Sequence, residues 1–204
     1  MKLHWSPRSP FVRKVMVFAH EAGLADRIEK IPTKVAMTRP NTELLKVNPL
    51  GKIPALITDD GMVLYDSSVI CEYLDTLHDG TKLFPPVAEK RWEALRWHAI
   101  GDNMLDTLVL WRNETLRHQA QQSPETIVGF LMKTQSSLDA LEMEVPELAA
   151  AQFGIGHVAI GVALGYIDFR FPDLRWRDGR PRLTHWYEAF AQRPSAMSTV
   201  PVDA

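Results

Sequence analysis

The sequence predicts an α/β domain followed by an all-helical domain. Short strand patterns alternate with helix patterns up to about residue 78, and no convincing strand pattern follows the Gly- and Pro-rich stretch that ends at Pro86. With 204 residues, 46% of them apolar, the chain can bury one sizeable core or two small ones. We therefore expect domains over residues 1–78 and 87–204.

The N-terminal segment predicts a strand, a loop and a helix. Leu3 to Trp5 have strand character, and Ser9 followed by Pro10 marks a helix start, because Ser is a favoured N-cap and Pro suits the first helical position. Gly23 is expected to end this helix. Two further elements are expected, a strand over residues 28–31 and a helix over residues 42–47.

A hairpin and a helix should complete the first domain. Asp60-Gly61 lies between apolar runs at residues 55–57 and 62–65, which is a strong hairpin signal. Asp66 or Ser67 then caps a helix that we expect to reach His78, with Val69, Ile70, Tyr73, Leu74 and Leu77 as its apolar stripe. This order of elements is thioredoxin-like.

The second half of the chain reads as helices. The patterns predict helices over residues 87–118, 124–144, 156–169 and 181–192. The first of these carries three tryptophans, which we expect in the core or at an interface: Trp92, Trp97 and Trp111. Met104, Thr107 and Trp111 are also candidates to line a site for an apolar electrophile.

Charge and cysteine content exclude several functions. The net charge is −2 and the basic residues are spread along the chain, so the sequence shows no basic cluster that would bind nucleic acid or an anionic membrane. Cys71 is the only cysteine, so no internal disulfide forms, and we expect it to be a small buried hydrophobe. The seven histidines lack ligand spacing, and we predict no metal. No signal-peptide pattern begins the chain, which favours the cytoplasm.

Three short motifs, in this order along the chain, resemble the glutathione-binding half of the glutathione S-transferase family: Ser9-Pro10, Ile53-Pro54 and Asp66-Ser67. The resemblance implies a cis peptide bond before Pro54 and antiparallel backbone pairing between Ile53 and the cysteinyl unit of glutathione. It also implies that Asp66 and Ser67 hold the γ-glutamyl end. Without a ligand, each motif would read as an ordinary cap or strand start.

Two serines are candidates to stabilise the glutathione thiolate. Ser9 matches the helix-start pattern of the family and is favoured, and Ser6 is the alternative. Lowering a thiol pKa by roughly two units requires about 2.7 kcal/mol. A helix N-terminus supplies about 0.3–1 kcal/mol, or about 2 when partly buried, and a charge-assisted hydrogen bond adds about 1.5–3 kcal/mol. Two basic residues, Lys52 and less surely Arg39, are candidates to pair with the glycine carboxylate.

The chain departs from the family pattern before the third predicted helix of its second half. Glutathione transferases usually begin that buried helix with Ser or Thr followed by Asp three residues later, and Gly154 and His157 stand in those places here. We expect the reciprocal side-chain hydrogen bonds of this capping box to be lost, with an effect on stability or folding more than on chemistry. Gly is nonetheless tolerated as an N-cap.

The resemblance implies a homodimeric transferase that binds glutathione as co-substrate, holds it as thiolate and conjugates it to a small electrophile in a cleft shared by the domains. Two alternatives stay open at this point. A glutathione-dependent isomerase or dehalogenase would use the same thiolate, and a non-catalytic glutathione-binding or regulatory protein would keep the fold without turnover. The altered capping box slightly favours the last of these.

Overall fold

The computed structural model describes residues 1–203 and divides into two compact units. The first contains Met1–Arg91 together with the residues from Pro194 onward, and the second contains Trp92–Arg193. The first unit combines a sheet with helices, and the second is helical. The predicted fold class, an α/β domain and an all-α domain, is confirmed.

A four-stranded mixed sheet forms the centre of the first unit. Its strands, in spatial order, are β2 (Glu29–Pro32), β1 (Lys2–Trp5), β3 (Ala55–Ile57) and β4 (Val63–Leu64). β1 and β2 are parallel, whereas β3 runs antiparallel to both β1 and β4. The registers pair His4 with Ala55 and Leu56 with Leu64. Leu3 and Leu56 are fully buried in the core beneath the sheet.

Three helices alternate with the strands along the chain: α1 (Pro10–Glu21) after β1, α2 (Thr42–Val47) after β2, and α3 (Ser67–Asp75) after β4. α2 has the predicted bounds, because Asn41 caps it by accepting from two backbone N–H groups of its first turn. α3 ends before the predicted His78. The Asp75 carboxylate accepts the backbone N–H groups of Leu83 (2.9 Å) and Phe84 (3.0 Å), so the chain turns away there.

Four helices form the second unit: α4 (Ala88–Thr115), which starts in the first unit, α5 (Pro124–Ala150), α6 (Ile155–Arg170) and α7 (Pro181–Ala191). α5 extends six residues past the predicted end at Glu144, from 144 to 150, although it contains Pro146. Proline removes one helix hydrogen bond. Burial of Val145 and Leu148 on the same helix outweighs that loss.

The packing of α6 explains its unusual composition. Every residue from Ile155 to Tyr166 is buried, so the helix is apolar all round rather than amphipathic. Glycines let its neighbours approach: a Cβ at Gly101 of α4 would lie 2.5 Å from the carbonyl carbon of Ala159. The two helix backbones are therefore nearly in contact at this point.

His157 provides half of the capping box that the sequence analysis expected to be lost. The backbone N–H of Gly154 donates to His157 Nδ1 (3.2 Å), and His157 Nε2 lies 2.8 Å from the carbonyl oxygen of Leu148. A neutral imidazole accepts at one nitrogen and donates at the other, so it can replace a carboxylate at this position. Gly154 has no side chain, and only its half of the box is missing.

The C-terminal residues return to the first unit, although the sequence analysis assigned residues 87–204 to the second domain. The short helix α8 (Pro194–Met197) packs against α1. Arg13 Nη2 donates to the Ala196 carbonyl oxygen (3.4 Å), and the Ser195 hydroxyl donates to Glu21. Short 3₁₀ turns complete the structure at Ala25–Arg27, Gln119–Gln121 and Pro172–Leu174.

Single-residue predictions of burial had mixed outcomes. Cys71 is fully buried, and Trp97 and Trp111 are buried, as predicted. Val69 is 46% exposed, so its predicted place in the apolar stripe of α3 was wrong. It lies near the start of the helix, where helical spacing covers too few turns to fix which face is buried. Trp92 is 70% exposed, which contradicts a position in the core and leaves a position at an interface as a prediction.

Candidate functional site

The strand directions bring four chain segments to one end of the sheet. β1, β2 and β4 run in one direction and β3 in the other, so the carboxyl ends of the first three lie beside the amino end of β3. The segments at this end are the loop from Ser6 to Ser9, residues 33–41, Lys52–Pro54 and Asp66-Ser67. Every candidate glutathione-binding residue from the sequence is in one of them.

Ser9 is the N-cap of α1, as predicted. Its Oγ accepts the backbone N–H of Val12 (3.3 Å), and Pro10 occupies the first turn. A hydroxyl that accepts one hydrogen bond can still donate its own hydrogen. Ser6 Oγ accepts the backbone N–H of Arg8 (3.4 Å), outside any helix. Both serines are partly exposed, and only Ser9 lies at the positive end of a helix dipole.

The peptide bond between Ile53 and Pro54 is cis, as the resemblance implies. Among the hydrogen bonds of residues 1–203, none involves the backbone N–H or C=O of Ile53. The preceding loop is held by Asn48, which is 1% exposed. Its side chain donates to the Lys52 carbonyl oxygen (2.8 Å) and accepts the Leu50 N–H (3.0 Å). Sequence reasoning missed Asn48, although an Asn directly after a helix is typical of a cap or turn.

Asp66 and Ser67 have different environments at the start of α3. Asp66 is exposed and caps the helix, its Oδ1 accepting the backbone N–H of Ser68 (3.0 Å). Ser67 is buried. The peptide bond between Tyr65 and Asp66 is also cis. The site thus has a carboxylate and the N–H groups of a helix start within a few residues, which suits a ligand that carries both an ammonium and a carboxylate.

The remaining candidate residues of this site are basic and exposed. Lys52 follows the Asn48 turn, and Arg39 lies in the segment after β2, where its N–H donates to the Ala36 carbonyl oxygen (3.4 Å). Beside them, His4 Nδ1 is 2.9 Å from the Thr33 hydroxyl. Burial lowers the pKa of His4, so the imidazole is neutral near pH 7.

In the second unit, a groove of about 350 Å³ runs between α4 and α5. Met104 and Thr107, two of the electrophile-site candidates, are among its lining residues. The third candidate, Trp111, is buried and packs against Phe171 with ring centroids 4.7 Å apart. Lys133 supplies positive charge to the groove, whereas the guanidinium of Arg96, also in the lining, is paired with the Glu144 carboxylate (2.7 Å).

Two kinds of feature are absent from residues 1–203. No group of three or more His, Cys, Asp or Glu side chains in this range could hold a metal ion. Within the same range, none of the helices combines the length and apolar character needed to cross a membrane.

Comparison with known proteins gives concordant matches. Residues 8–77 match the model of the glutathione S-transferase N-terminal domain, and residues 113–189 match that of the C-terminal domain. The chain is 30% identical over 207 aligned positions to the uncharacterized GST-like protein YibF of Escherichia coli K12, with 100% of both chains covered.

Two solved structures of a glutathione transferase family member from Pseudomonas fluorescens Pf-5 are also similar. One holds bound glutathione and is 42% identical, with a TM-score of 0.96 and 99% of each chain covered. The other holds bound S-(propanoic acid)-glutathione and is 41% identical, with a TM-score of 0.91 and 100% of each chain covered.

Proposed function

Because the chain belongs to the glutathione S-transferase family, we propose that it binds glutathione at the end of its sheet and conjugates it, through its sulfur, to a small electrophile. The observation that carries this proposal is the convergence of the Ser9, Ile53 and Asp66 segments at one end of the sheet. The Ser9 segment recognises a thiolate, the Ile53 segment a peptide backbone, and the Asp66 segment the end of the ligand that carries both an ammonium and a carboxylate.

The three segments match the parts of glutathione. The cysteinyl backbone pairs with the N–H and C=O of Ile53, as a strand would. The γ-glutamyl ammonium pairs with the Asp66 carboxylate, while its carboxylate accepts hydrogen bonds from the first turn of α3, including Ser67. Lys52 and Arg39 attract the glycine carboxylate. Because the last two are exposed, each contributes no more than about 1 kcal/mol.

Ser9 stabilises the sulfur as a thiolate. Its hydroxyl donates to the sulfur while its oxygen accepts from Val12 N–H, so the cap and the catalytic role coexist. The thiolate then attacks an electrophilic carbon, and a sulfur–carbon bond forms. In a substitution the displaced electron pair departs with the leaving group, and in an addition it moves to the neighbouring atom of the π bond, which takes up a proton from water. Met104 and Thr107 are our candidates for contact with the electrophile.

Conjugation is favoured over isomerisation or dehalogenation by one observation. The ligand in one similar structure, S-(propanoic acid)-glutathione, is a stable thioether of the kind that conjugation forms.

The argument for a non-catalytic protein is weaker than the sequence suggested, because His157 retains half of the capping box. Homodimer formation and a cytoplasmic location remain part of the proposal.

The test compares Ser9→Ala with Ser6→Ala. In Ser9→Ala we expect the pKa of enzyme-bound glutathione, read from thiolate absorbance, to rise by about 1–2 units, since a charge-assisted hydrogen bond is lost. Conjugation of an activated aryl halide should slow accordingly near neutral pH. Ser6→Ala is the matched control and should change neither quantity. The reverse pattern would assign the role to Ser6, and absence of glutathione binding by the wild type would refute the proposed function.

A further inference from the structure

Lys14 of α1 is buried in a way that its sequence context does not predict. Its side chain is 0% exposed, although lysine is among the residues least often found fully buried. Fixing a lysine side chain costs about 1.5–2 kcal/mol of conformational entropy, and its charge must be compensated by polar groups. The position therefore has a role beyond filling space in the core.

The ammonium of Lys14 is directed at the start of α3. Its Nζ lies 3.5 Å from Ser68 Oγ, at the limit of a hydrogen bond, and 5.9 Å from the ring centroid of Phe11. Ser68 belongs to the first turn of α3, and its N–H donates to the Asp66 capping carboxylate. A hydroxyl that accepts from an ammonium can donate in turn to another acceptor. Lys14 and the glutathione-binding turn are thus joined through one side chain.

Beside the negative Asp66 carboxylate, the first turn of α3 also has two sources of positive charge that favour an anion. The first N–H groups of α3 carry partial positive charge, and the Lys14 ammonium adds a full charge in a region shielded from solvent. Screening by water is weak for a buried charge, so its field at the helix start is stronger than that of a surface lysine. A carboxylate bound at the first turn gains from both sources.

We propose that Lys14 is a positioning residue for the γ-glutamyl carboxylate of glutathione, acting through Ser68 and the first turn of α3. The inference rests on the proposed function, because it needs glutathione to bind at this end of the sheet. A positioning role for Lys14 differs from a purely structural link between α1 and α3 in one measurable respect. A structural link would affect all glutathione analogues equally, whereas a positioning role depends on the presence of that carboxylate.

The experiment measures the binding of two ligands by calorimetry. One is glutathione, and the other is γ-aminobutyryl-cysteinylglycine, which lacks only the γ-glutamyl carboxylate. For Lys14→Met we expect about tenfold weaker binding of glutathione and less than about twofold change for the analogue, because one charge-assisted contribution is removed. Lys2→Met is the matched control: Lys2 is exposed at the opposite end of β1 and should bind both ligands like the wild type.

Ser68→Ala provides a second, less disruptive variant. It removes the hydroxyl that links Lys14 to the turn and should show the same selective loss, so it carries the test if Lys14→Met does not fold. Equal losses for both ligands, or unchanged binding of both, would overturn the positioning role. A wild type that binds neither ligand would instead refute the proposed function.

Discussion

Replacement of His157 by phenylalanine tests whether an imidazole secures the start of α6. The variant keeps a planar ring among Trp97, Phe153 and Trp186, whose rings lie 5.1–6.2 Å from the His157 ring by centroid. It removes both hydrogen bonds, so the Gly154 N–H and the Leu148 carbonyl oxygen lose their buried partner. The substitution therefore separates hydrogen bonding from packing.

The expected cost follows from those two groups. Leaving a buried donor or acceptor without a partner costs about 1–3 kcal/mol, so His157→Phe should lower the free energy of unfolding by about 2–6 kcal/mol at pH 7. His157→Asp, which restores the residue usual in the family, should also be less stable than the wild type. Its shorter carboxylate can accept from the Gly154 N–H, but it has no hydrogen to donate to the Leu148 carbonyl oxygen, which is left without this partner.

The cost should depend on pH with a definite sign. Burial lowers the pKa of His157 below its ordinary value of 6.5, and the positive charge of Arg193 acts in the same direction. The accepting role of Nδ1 also requires the neutral ring. Below pH 6.5 His157 therefore binds a proton in the unfolded chain but not in the folded chain. The stability of the wild type falls with pH until the pKa of His157 in the folded chain is reached. The slope from this group is at most about 1.4 kcal/mol per pH unit.

Urea unfolding followed by circular dichroism, at several pH values between 5 and 8, measures this dependence. The stability difference between wild type and His157→Phe should be constant above about pH 7 and should narrow as the pH falls below 6.5. Other histidines, including His4 with its lowered pKa, are present in both proteins and cancel. A difference independent of pH, or a phenylalanine variant as stable as the wild type, would refute the assigned tautomer and its role.

Three further predictions concern packing, an ion pair and the loop before Ile53. Gly101→Ala should lower the free energy of unfolding by about 1–3 kcal/mol, because its Cβ would overlap the α6 backbone. Gly129→Ala, with open space around it, should raise the free energy of unfolding by about 0.5–1 kcal/mol. If chemical denaturation gives the same change in the free energy of unfolding for both variants, this packing is contradicted. The Arg96 hydrogen bond lowers the pKa of Glu144, so this carboxylate should contribute about 1 kcal/mol to the free energy of unfolding above pH 4.5. The difference in the free energy of unfolding between the wild type and Glu144→Gln should disappear as the pH falls below that value. Asn48→Ala should lower stability by about 1–3 kcal/mol and weaken glutathione binding in calorimetry, and unchanged affinity would refute its support of the loop.

Local signals in the sequence were sufficient for much of the fold. Ser9 with Pro10 and Asp66 with Ser67 mark helix starts through hydrogen bonds to residues two or three positions away, and these signals do not depend on the rest of the chain. The hairpin around Asp60-Gly61 is equally local. Helix ends were less predictable. α5 passes through Pro146 because burial farther along the helix decides the outcome, and burial depends on packing partners that the local pattern does not reveal.

The residues of the candidate site also divide into those that local signals predict and those that depend on tertiary contacts. Its motifs were visible because each stands at the end of a strand or the start of a helix, and strand directions then bring those ends together. Lys14 was not visible, since a lysine on a helix resembles a solvated charge until its partner, 54 residues away, is known. His157 was misjudged for a related reason: the capping rule was read by residue type, although the backbone N–H requires only an acceptor nitrogen or oxygen. Residues that act through distant partners must be found from tertiary contacts, and in this protein those contacts lie at the first turn of α3 and at the start of the buried helix α6.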